Sequence, residues 1–408
     1  MQPSLIIGII IFLGFLFGEL VSKINLPRIS GYILAGIILN PGLFGFIPGD
    51  FSENTEIITN IALSFITFSV GGTLLVSRIR KLGKSIFTIT FLESELAFLF
   101  VVAGLTFSLP YFIQIGSGDI VFAYLPVALL IGSMASPTDP SATLAVMHEY
   151  KAKGSVSSTV MGIAAFDDAL GIINYSIAIA IAHSLINNID FNVMHSVIHP
   201  IINIIISIGL GSIMGFVLTG LIKLTERETD GVLIVEVIGL LLICFGVSSF
   251  FNLDELLSTM SMGAIVVNFS SKRERIFKLL ERYIEELILV LFFVLAGMHL
   301  NFSVISSSLV LVAVFVVLRT FGKFLGVYIG AHISKSPQKV KKYTFGGLIP
   351  QGGIVIGLAL MVNQNQSFSE FSDIVIGVII GATIVHELIG PISAKIALSK
   401  ANELFKDI

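Results

Sequence analysis

The chain has 408 residues, of which 55% are hydrophobic and 12% are charged, and its formal net charge is −3. Soluble domains carry about 25% charged residues, so this composition excludes a soluble domain and indicates an all-α polytopic membrane protein. A basic surface for nucleic acid cannot form outside the short loops. The single cysteine, Cys244, excludes an intrachain disulfide.

The apolar segments predict thirteen membrane-spanning helices, which we number spans 1 to 13 in chain order. Span 9 is short for a full crossing. The predicted spans are 4–22, 29–47, 56–77, 85–109, 121–147, 157–187, 196–224, 231–250, 253–269, 283–300, 303–333, 341–363 and 371–397. We therefore expect most of the chain to lie in a lipid bilayer.

The loops between the predicted spans fall into two alternating sets, one rich in Lys and Arg and one without either residue. Of the 24 Lys and Arg residues, 22 fall on one side of the membrane under this count, and the other two, Arg319 and Lys323, lie within span 11. Because cytoplasmic loops carry the excess of basic residues, we expect the N-terminus outside and the C-terminus in the cytoplasm. The expected location is the plasma or inner membrane of the cell.

Span 5 contains the segment Pro137-Thr138-Asp139-Pro140. Each proline removes an amide donor and clashes with the preceding turn, so this pair is expected to break the helix. Broken backbone at membrane depth is tolerated only where protein or water takes up the freed polar groups. Such a break therefore predicts a polar site, close to Thr138 and Asp139.

Span 12 contains a second interruption, Pro350-Gln351-Gly352-Gly353. The two broken spans are seven spans apart, so they enter the membrane from opposite faces. Discontinuous helices at corresponding places in two halves indicate an inverted-repeat transporter with its ion site near the bilayer midplane.

Ionisable residues occur at the same depth in two further spans. Span 6 carries Asp167 and Asp168 near its middle, and span 11 carries Arg319 and Lys323 on one helix face. A charge at the bilayer centre costs about 2.5–3.5 kcal/mol. Together with Asp139, these five would cost about 12–17 kcal/mol if unpaired, which is comparable with the stability of an ordinary domain. They are therefore expected to pair or to face water.

Three acids against two bases leave one carboxylate without a fixed partner. A proton or a metal cation can satisfy such a group in turn, which is the minimal requirement of a cation:proton exchanger. The count depends on Glu93 and Glu95 of span 4, which would change it if they too lie deep. His386 and Glu387 lie toward the end of span 13, where we expect a structural role.

The motifs Thr138–Pro140, Phe166–Gly171, Arg319–Gly326, Pro350–Gly353 and Glu387–Pro391 together resemble the monovalent cation:proton antiporter superfamily over nearly the full chain. The resemblance implies a transporter, not an enzyme, with no cofactor beyond the transported Na⁺ and H⁺. It also implies two crossed broken helices and alternating access by vertical movement of an ion-transporting core.

The same resemblance implies a division of the chain into domains. The scaffold, which forms a homodimer, is expected at 1–80 and 231–300. The core is expected at 81–195 and 301–400, and a linking helix is expected at 196–230.

The resemblance also implies roles for single residues. Asp168 is similar to the carboxylate that binds the ion or the proton, and Asp167 resembles an aspartate that pairs with a lysine in the position of Lys323. Thr138 and the backbone at Asp139 are expected to contribute at the crossing, where the Asp139 side chain would offset half-helix dipoles.

One structural interpretation and one departure from the family pattern stand beside the resemblance. Arg319 is expected to be a structural residue that pairs with Glu93 or Glu95. The electroneutral branch has asparagine in the position of Asp167 and glutamate in the position of Ile163, so the stoichiometry stays open.

Three alternatives remain. The transported cation is expected to be Na⁺, but K⁺ or Li⁺ is not excluded by the residues. A passive cation channel would not need a buried lysine–aspartate pair. An intramembrane aspartyl protease would need a Gly-x-Gly-Asp motif, which 116–119 matches, but this segment lies in a polar external loop and the chain has no Tyr-Asp partner motif.

Overall fold

The computed structural model describes residues 2–23, 28–43, 47, 55–115, 118–139, 143, 146–147, 150–164, 166–186, 199–225, 229–298, 302–351 and 354–404. All regular secondary structure in these ranges is helical, which confirms the all-α prediction. The α-helices are α1 Pro3–Ser22, α2 Arg28–Leu39, α3 Glu56–Thr73, α4 Val76–Ser108, α5 Leu125–Ser133, α6 Ser155–Ala164, α7 Asp167–Ile186, α8 His199–Leu224, α9 Asp230–Phe250, α10 Glu255–Phe269, α11 Arg273–Leu280, α12 Glu286–Met298, α13 Phe302–Ile333, α14 Gln338–Tyr343, α15 Ile354–Gln364 and α16 Ser372–Lys400.

Seven helices in the described ranges are long and apolar enough to cross a membrane. They are Pro3–Ser22, Gly83–Tyr111, Ser155–Ile186, Ile202–Leu224, Asp230–Phe250, Leu309–Ile333 and Ser372–Lys400. Four shorter apolar helices accompany them, at Ile57–Thr73, Ile120–Ser133, Glu255–Phe269 and Ile354–Gln364. The number thirteen stays a prediction.

The helices pack in two neighbouring sets. In one set α12 packs against α1 and α2, and α10 packs against α3 and α8. In the other set α13 packs against α4 and α16, while α5 packs against α4 and α7. The boundaries of the proposed scaffold and core domains stay a prediction.

A stripe of glycines brings α13 close to α4. Gly322, Gly326 and Gly330 recur every four residues, so they lie on one face of α13. A Cβ at Gly322 would lie 2.7 Å from Cα of Ala97, and one at Gly326 would overlap the backbone of Glu93. Small residues permit this close approach of two helices in a membrane, and it places Glu93 beside span 11.

The first turn of helix α6 is hydrogen-bonded to Glu403, a residue close to the C-terminus. Glu403 is buried, and its carboxylate accepts hydrogen bonds from the backbone nitrogens of Val156 and Ser157, both at 2.8 Å. The Ser157 hydroxyl donates a further one at 2.7 Å. A carboxylate is favoured at a helix N-terminus because the first amides lack partners there.

Candidate ion-binding site

The two predicted breaks, at 134–139 and 348–351, meet in the structure, and we call the region where they meet the crossing. Helix α5 ends at Ser133 and is followed by non-helical backbone as far as Asp139, while α15 begins only at Ile354, after non-helical backbone at 348–351. The backbone N–H of Asp139 donates to the carbonyl oxygen of Pro350 at 3.2 Å. Pro140, Gly352 and Gly353 lie outside the described residues.

Arg319 lies between the two breaks and is fully buried. Its guanidinium group donates hydrogen bonds to four backbone carbonyls, at 3.0 Å to Ala135, 2.8 Å to Pro137, 2.8 Å to Ile349 and 3.5 Å to Pro350. These carbonyls belong to the interrupted segments, where no helical amide is in place to bond them. One side chain thus satisfies carbonyl groups of both breaks.

The expected pairing of Arg319 with Glu93 or Glu95 is therefore wrong. Among the described residues, Arg319 makes no ion pair within 4.0 Å. Its donors are taken up by carbonyl oxygens, and Glu95 instead accepts a hydrogen bond from Asn174 at 3.3 Å. The side chain of Asn174 also donates to Ser136 Oγ at 3.3 Å, which ties α7 to the first break.

Lys323 lies one helical turn further along α13, and its ammonium group is buried among three acceptors. Its Nζ donates to Thr138 Oγ1 at 2.7 Å, to Glu93 Oε2 at 2.9 Å and to Asp167 Oδ2 at 3.4 Å. The sequence indicated Asp167 as the partner of Lys323, and the structure adds Glu93 as a nearer carboxylate. Glu93 is fully buried, so it must be included in the charge count at this depth.

The two adjacent aspartates stand in different surroundings. Both lie in the first turn of α7, where the helix dipole favours negative charge. Asp167 is fully buried and ion-paired to Lys323. Asp168 is partly exposed, and among the described residues it has no hydrogen bond or ion pair. Of these two aspartates, Asp168 is therefore the one without a fixed partner among the described residues.

Packing places Asp168 beside the first break. A Cβ at Gly171 would lie 2.5 Å from the ring of Pro137, so this face of α7 touches the interrupted segment. Asp168 precedes Gly171 by three residues and shares that face. The arrangement gathers Asp168, Thr138 and the start of α7 in one region.

No group of three or more His, Cys, Asp or Glu residues forms a metal site within the described ranges. A transported cation held by one or two carboxylates and by hydroxyl or carbonyl oxygens does not require such a group.

The expected location of His386 and Glu387 near a span end is wrong. Their exposed fractions are 0% and 1%, and His386 Nδ1 lies 2.8 Å from Gln351 Oε1, at the second break. Gln351 Nε2 donates in turn to the carbonyl of Met134 at 2.6 Å. These residues therefore belong to the crossing.

Comparison with known proteins extends over nearly the whole chain. Residues 8–400 match the sequence family described as "Sodium/hydrogen exchanger, transmembrane". The chain is 27% identical to Na⁺/H⁺ antiporter 1 of Methanocaldococcus jannaschii over 179 residues, which cover 43% of this chain and 39% of that protein. It is 23% identical to the Na⁺/H⁺-K⁺ antiporter GerN of Bacillus cereus over 354 residues, which cover 84% of each chain.

The fold is similar to that of a solved structure, the sodium proton antiporter MjNhaP1 from Methanocaldococcus jannaschii at pH 8. The TM-score is 0.76 and the sequence identity is 20%, with 97% of each chain covered. At this level of identity the likeness shows the fold alone.

Proposed function

The chain belongs to the sodium/hydrogen exchanger family, whose members are transporters and not enzymes, and from that premise we propose that it exchanges Na⁺ for H⁺ at Asp168. The supporting observation is the contrast between two neighbours: Asp167 is held by Lys323, whereas Asp168 has no hydrogen bond or ion pair among the described residues. A carboxylate without a fixed partner can bind a proton or a cation, but not both at once.

The fixed charges around Asp168 favour this competition. Glu93 and Asp167 share the one ammonium group of Lys323, and the guanidinium group of Arg319 is bonded to carbonyls. The site thus holds more carboxylates than free cationic groups. An incoming Na⁺ is attracted for that reason, and a proton that binds Asp168 removes part of the attraction.

Access to the site is proposed to alternate as the core moves against the scaffold. A cavity of about 680 Å³ lies between α7 of the proposed core and α10 of the proposed scaffold, and its lining includes Tyr175, Ser176, Asp254 and Glu255. The side chain of Ser176, two turns beyond Asp168 on α7, donates to Asp254. This hydrogen bond joins the two helices in the conformation described.

The distribution of basic residues supports an orientation with this cavity on the outer side of the membrane. We propose that the protein acts in the plasma or inner membrane as a homodimer, with its C-terminus in the cytoplasm.

The second candidate cargo is K⁺. It is favoured by the similarity to GerN, which is named a Na⁺/H⁺-K⁺ antiporter and is covered over 84% of its length. Ion size and the placement of oxygen ligands decide between the two cations.

The test is proton flux in proteoliposomes with Na⁺, Li⁺ and K⁺ supplied in turn. Asp168→Asn should abolish exchange and leave the protein folded, because the amide binds neither ion as the carboxylate does. Asp230→Asn is a matched control, since Asp230 also lies in the first turn of a helix but pairs with Arg275 near the surface. Wild-type exchange in Asp168→Asn would refute the role of Asp168, and cation flux without proton movement would indicate a channel.

A further inference from the structure

Glu387 lies where the second broken span meets α16. A Cβ at Gly390 would lie 2.5 Å from the ring of Pro350, so α16 touches the break one turn beyond Glu387. The carbonyl of Pro350 accepts the backbone N–H of Asp139 from the first break. Glu387 therefore stands at the crossing, on a different helix from Asp168.

The carboxyl group of Glu387 is sealed in and unpartnered. The residue is 1% exposed, and neither of its two oxygens has a hydrogen-bond partner among the described residues. A buried carboxylate with neither a cation nor a donor is strongly disfavoured relative to its neutral acid. Burial alone therefore argues that this group carries a proton.

The charged and titratable neighbours do not supply the missing cation. Asp139 and Arg319 are the charges that act on Glu387, and the first of these repels a second carboxylate. The hydrogen bonds of Arg319 run to four backbone carbonyls and not to Glu387. Lys323 is occupied by Thr138 and two other carboxylates.

His386, the adjacent residue, does not pair with Glu387 either. The amide of Gln351 donates to Met134, which leaves its oxygen to accept from His386 Nδ1, so the proton of a neutral imidazole lies on Nδ1. His386 Nε2 has no hydrogen-bond partner among the described residues.

The other elements that pack against α16 add no closer cation. Helices α5 and α15 and the turn Thr344–Gly347 contain no charged residue. The lysines of α14, at positions 339, 341 and 342, are the remaining charges on helices in contact with α16.

We propose that Glu387 is a second proton-binding site of the exchanger, neutral in this conformation and able to release its proton when the crossing opens to water. The proposal rests on proton-coupled exchange but not on the assignment of Asp168.

Infrared difference spectroscopy tests the protonation directly. The spectrum of wild-type protein minus that of Glu387→Gln, at neutral pH in H₂O and in D₂O, should contain one protonated-carboxyl band that shifts on deuteration. Glu274→Gln, at an exposed glutamate, is the control for the substitution itself. If the difference spectrum instead contains the bands of an ionised carboxylate and no protonated-carboxyl band, Glu387 is ionised and the proposal is overturned.

A second variant guards against a folding defect. Glu387→Asp keeps the acid but moves it by one methylene, so the same band should remain and change frequency. If the band stays where it is in wild-type protein, it belongs to another residue and the proposal fails.

Transport tests the release of the proton. Glu387→Gln should retain Na⁺-driven proton movement through Asp168 but show a flatter pH profile than wild-type protein. An unchanged profile would show that the group never gives up its proton. These outcomes are distinguishable from failure of the proposed function, because Asp168→Asn removes exchange altogether and leaves the infrared band of Glu387 in place.

Discussion

Lys323 Nζ lies 2.9 Å from Glu93 Oε2, and the exposed fractions of the two side chains are 1% and 0%. The ion pair joins α13 to α4 at the point where the glycine stripe brings their backbones together. Asp167 lies 0.5 Å further from the same ammonium group, at 3.4 Å. Of the two carboxylates, Glu93 is therefore the closer partner of Lys323, and Asp167 is the more distant one.

This pair predicts a non-additive loss of stability. Lys323→Met leaves Glu93 and Asp167 buried without their cation, and breaking a buried pair in this way costs about 3–5 kcal/mol. The double variant Lys323→Met with Glu93→Gln should recover part of the loss, because one of the two uncompensated carboxylates is then gone. The measurement is the midpoint of thermal aggregation of the detergent-solubilised protein.

The control for Lys323→Met is Arg28→Met. Arg28 pairs with Glu19 at 2.9 Å, but both side chains are more than 40% exposed. Exposed pairs contribute about 0–1 kcal/mol, so this midpoint should barely move. Equal losses in the single and double variants would contradict the assigned pairing.

Arg319 predicts that the shape of a cation matters at the crossing, and not only its charge. Arg319→Lys keeps the positive charge but cannot reach four carbonyls on two broken spans from one ammonium group. Each lost hydrogen bond to a charged donor costs about 1.5–3 kcal/mol. The thermal midpoint should fall, and exchange should fall with it, because one side chain no longer joins the two broken spans.

Arg273→Lys is the matched comparison for Arg319→Lys. Within the part of the chain that the structure describes, Arg273 donates to a single backbone carbonyl, that of Val267, at 3.4 Å. Its replacement should leave both the midpoint and the exchange rate close to those of wild-type protein. If Arg319→Lys behaves in the same way, the guanidinium group does not hold the two breaks together.

The sequence predicted the breaks and the charged residues but not all of their partners. Proline on both sides of Thr138-Asp139 is enough to predict a break, and an intramembrane Asp167 is visible in the chain itself. Hydropathy assigns a residue to a span but fixes neither its depth nor the helix face toward a neighbour. For that reason Glu93 was left open and Glu387 was placed near a span end.

The acceptors of Arg319 were hidden for a different reason. They are backbone carbonyls freed by two breaks that lie 182 and 31 residues away along the chain, and no side-chain pattern encodes them. The glycine stripe at 322, 326 and 330 was a readable signal that α13 approaches another helix. It does not say which helix, and only the fold identifies α4.

The glycine stripe predicts a steric effect at Gly326. In Gly326→Ala, the new methyl group would overlap the backbone of Glu93, and no flexible side chain can yield to it. We expect α13 to move away from α4, which lengthens the ion pair between Lys323 and Glu93. The thermal midpoint should fall, and exchange should fall by a large factor. Thermal aggregation and proteoliposome flux measure the two effects.

Gly239→Ala provides the opposite expectation with the same substitution. Gly239 lies within α9, and a Cβ there meets nothing within 4 Å. Alanine is favoured over glycine in a helix interior by about 0.5–1 kcal/mol, so this variant should be as stable as wild-type protein or more so. If Gly239→Ala lowers the thermal midpoint as much as Gly326→Ala does, the packing argument is contradicted.

The hydrogen bond from Ser176 to Asp254 predicts a change in rate without a large change in stability. Asp254 also accepts the backbone N–H of Leu257 at 2.8 Å, so it caps α10, whereas Ser176 links α7 to it. Ser176→Ala removes the link and keeps the cap. One hydrogen bond contributes about 0.5–1.5 kcal/mol, so its removal should speed departure from this conformation by about 2- to 10-fold.

Proteoliposome exchange rates at saturating Na⁺ measure the effect, provided that the conformational change limits turnover. Ser212→Ala is the control, because among the residues that the structure describes Ser212 bonds only to the carbonyl of Ile208, within its own helix. A rate for Ser176→Ala that matches that of Ser212→Ala would mean that the contact does not restrain α7. A slower rate would mean that the contact stabilises the transition state between conformations more than it stabilises this conformation.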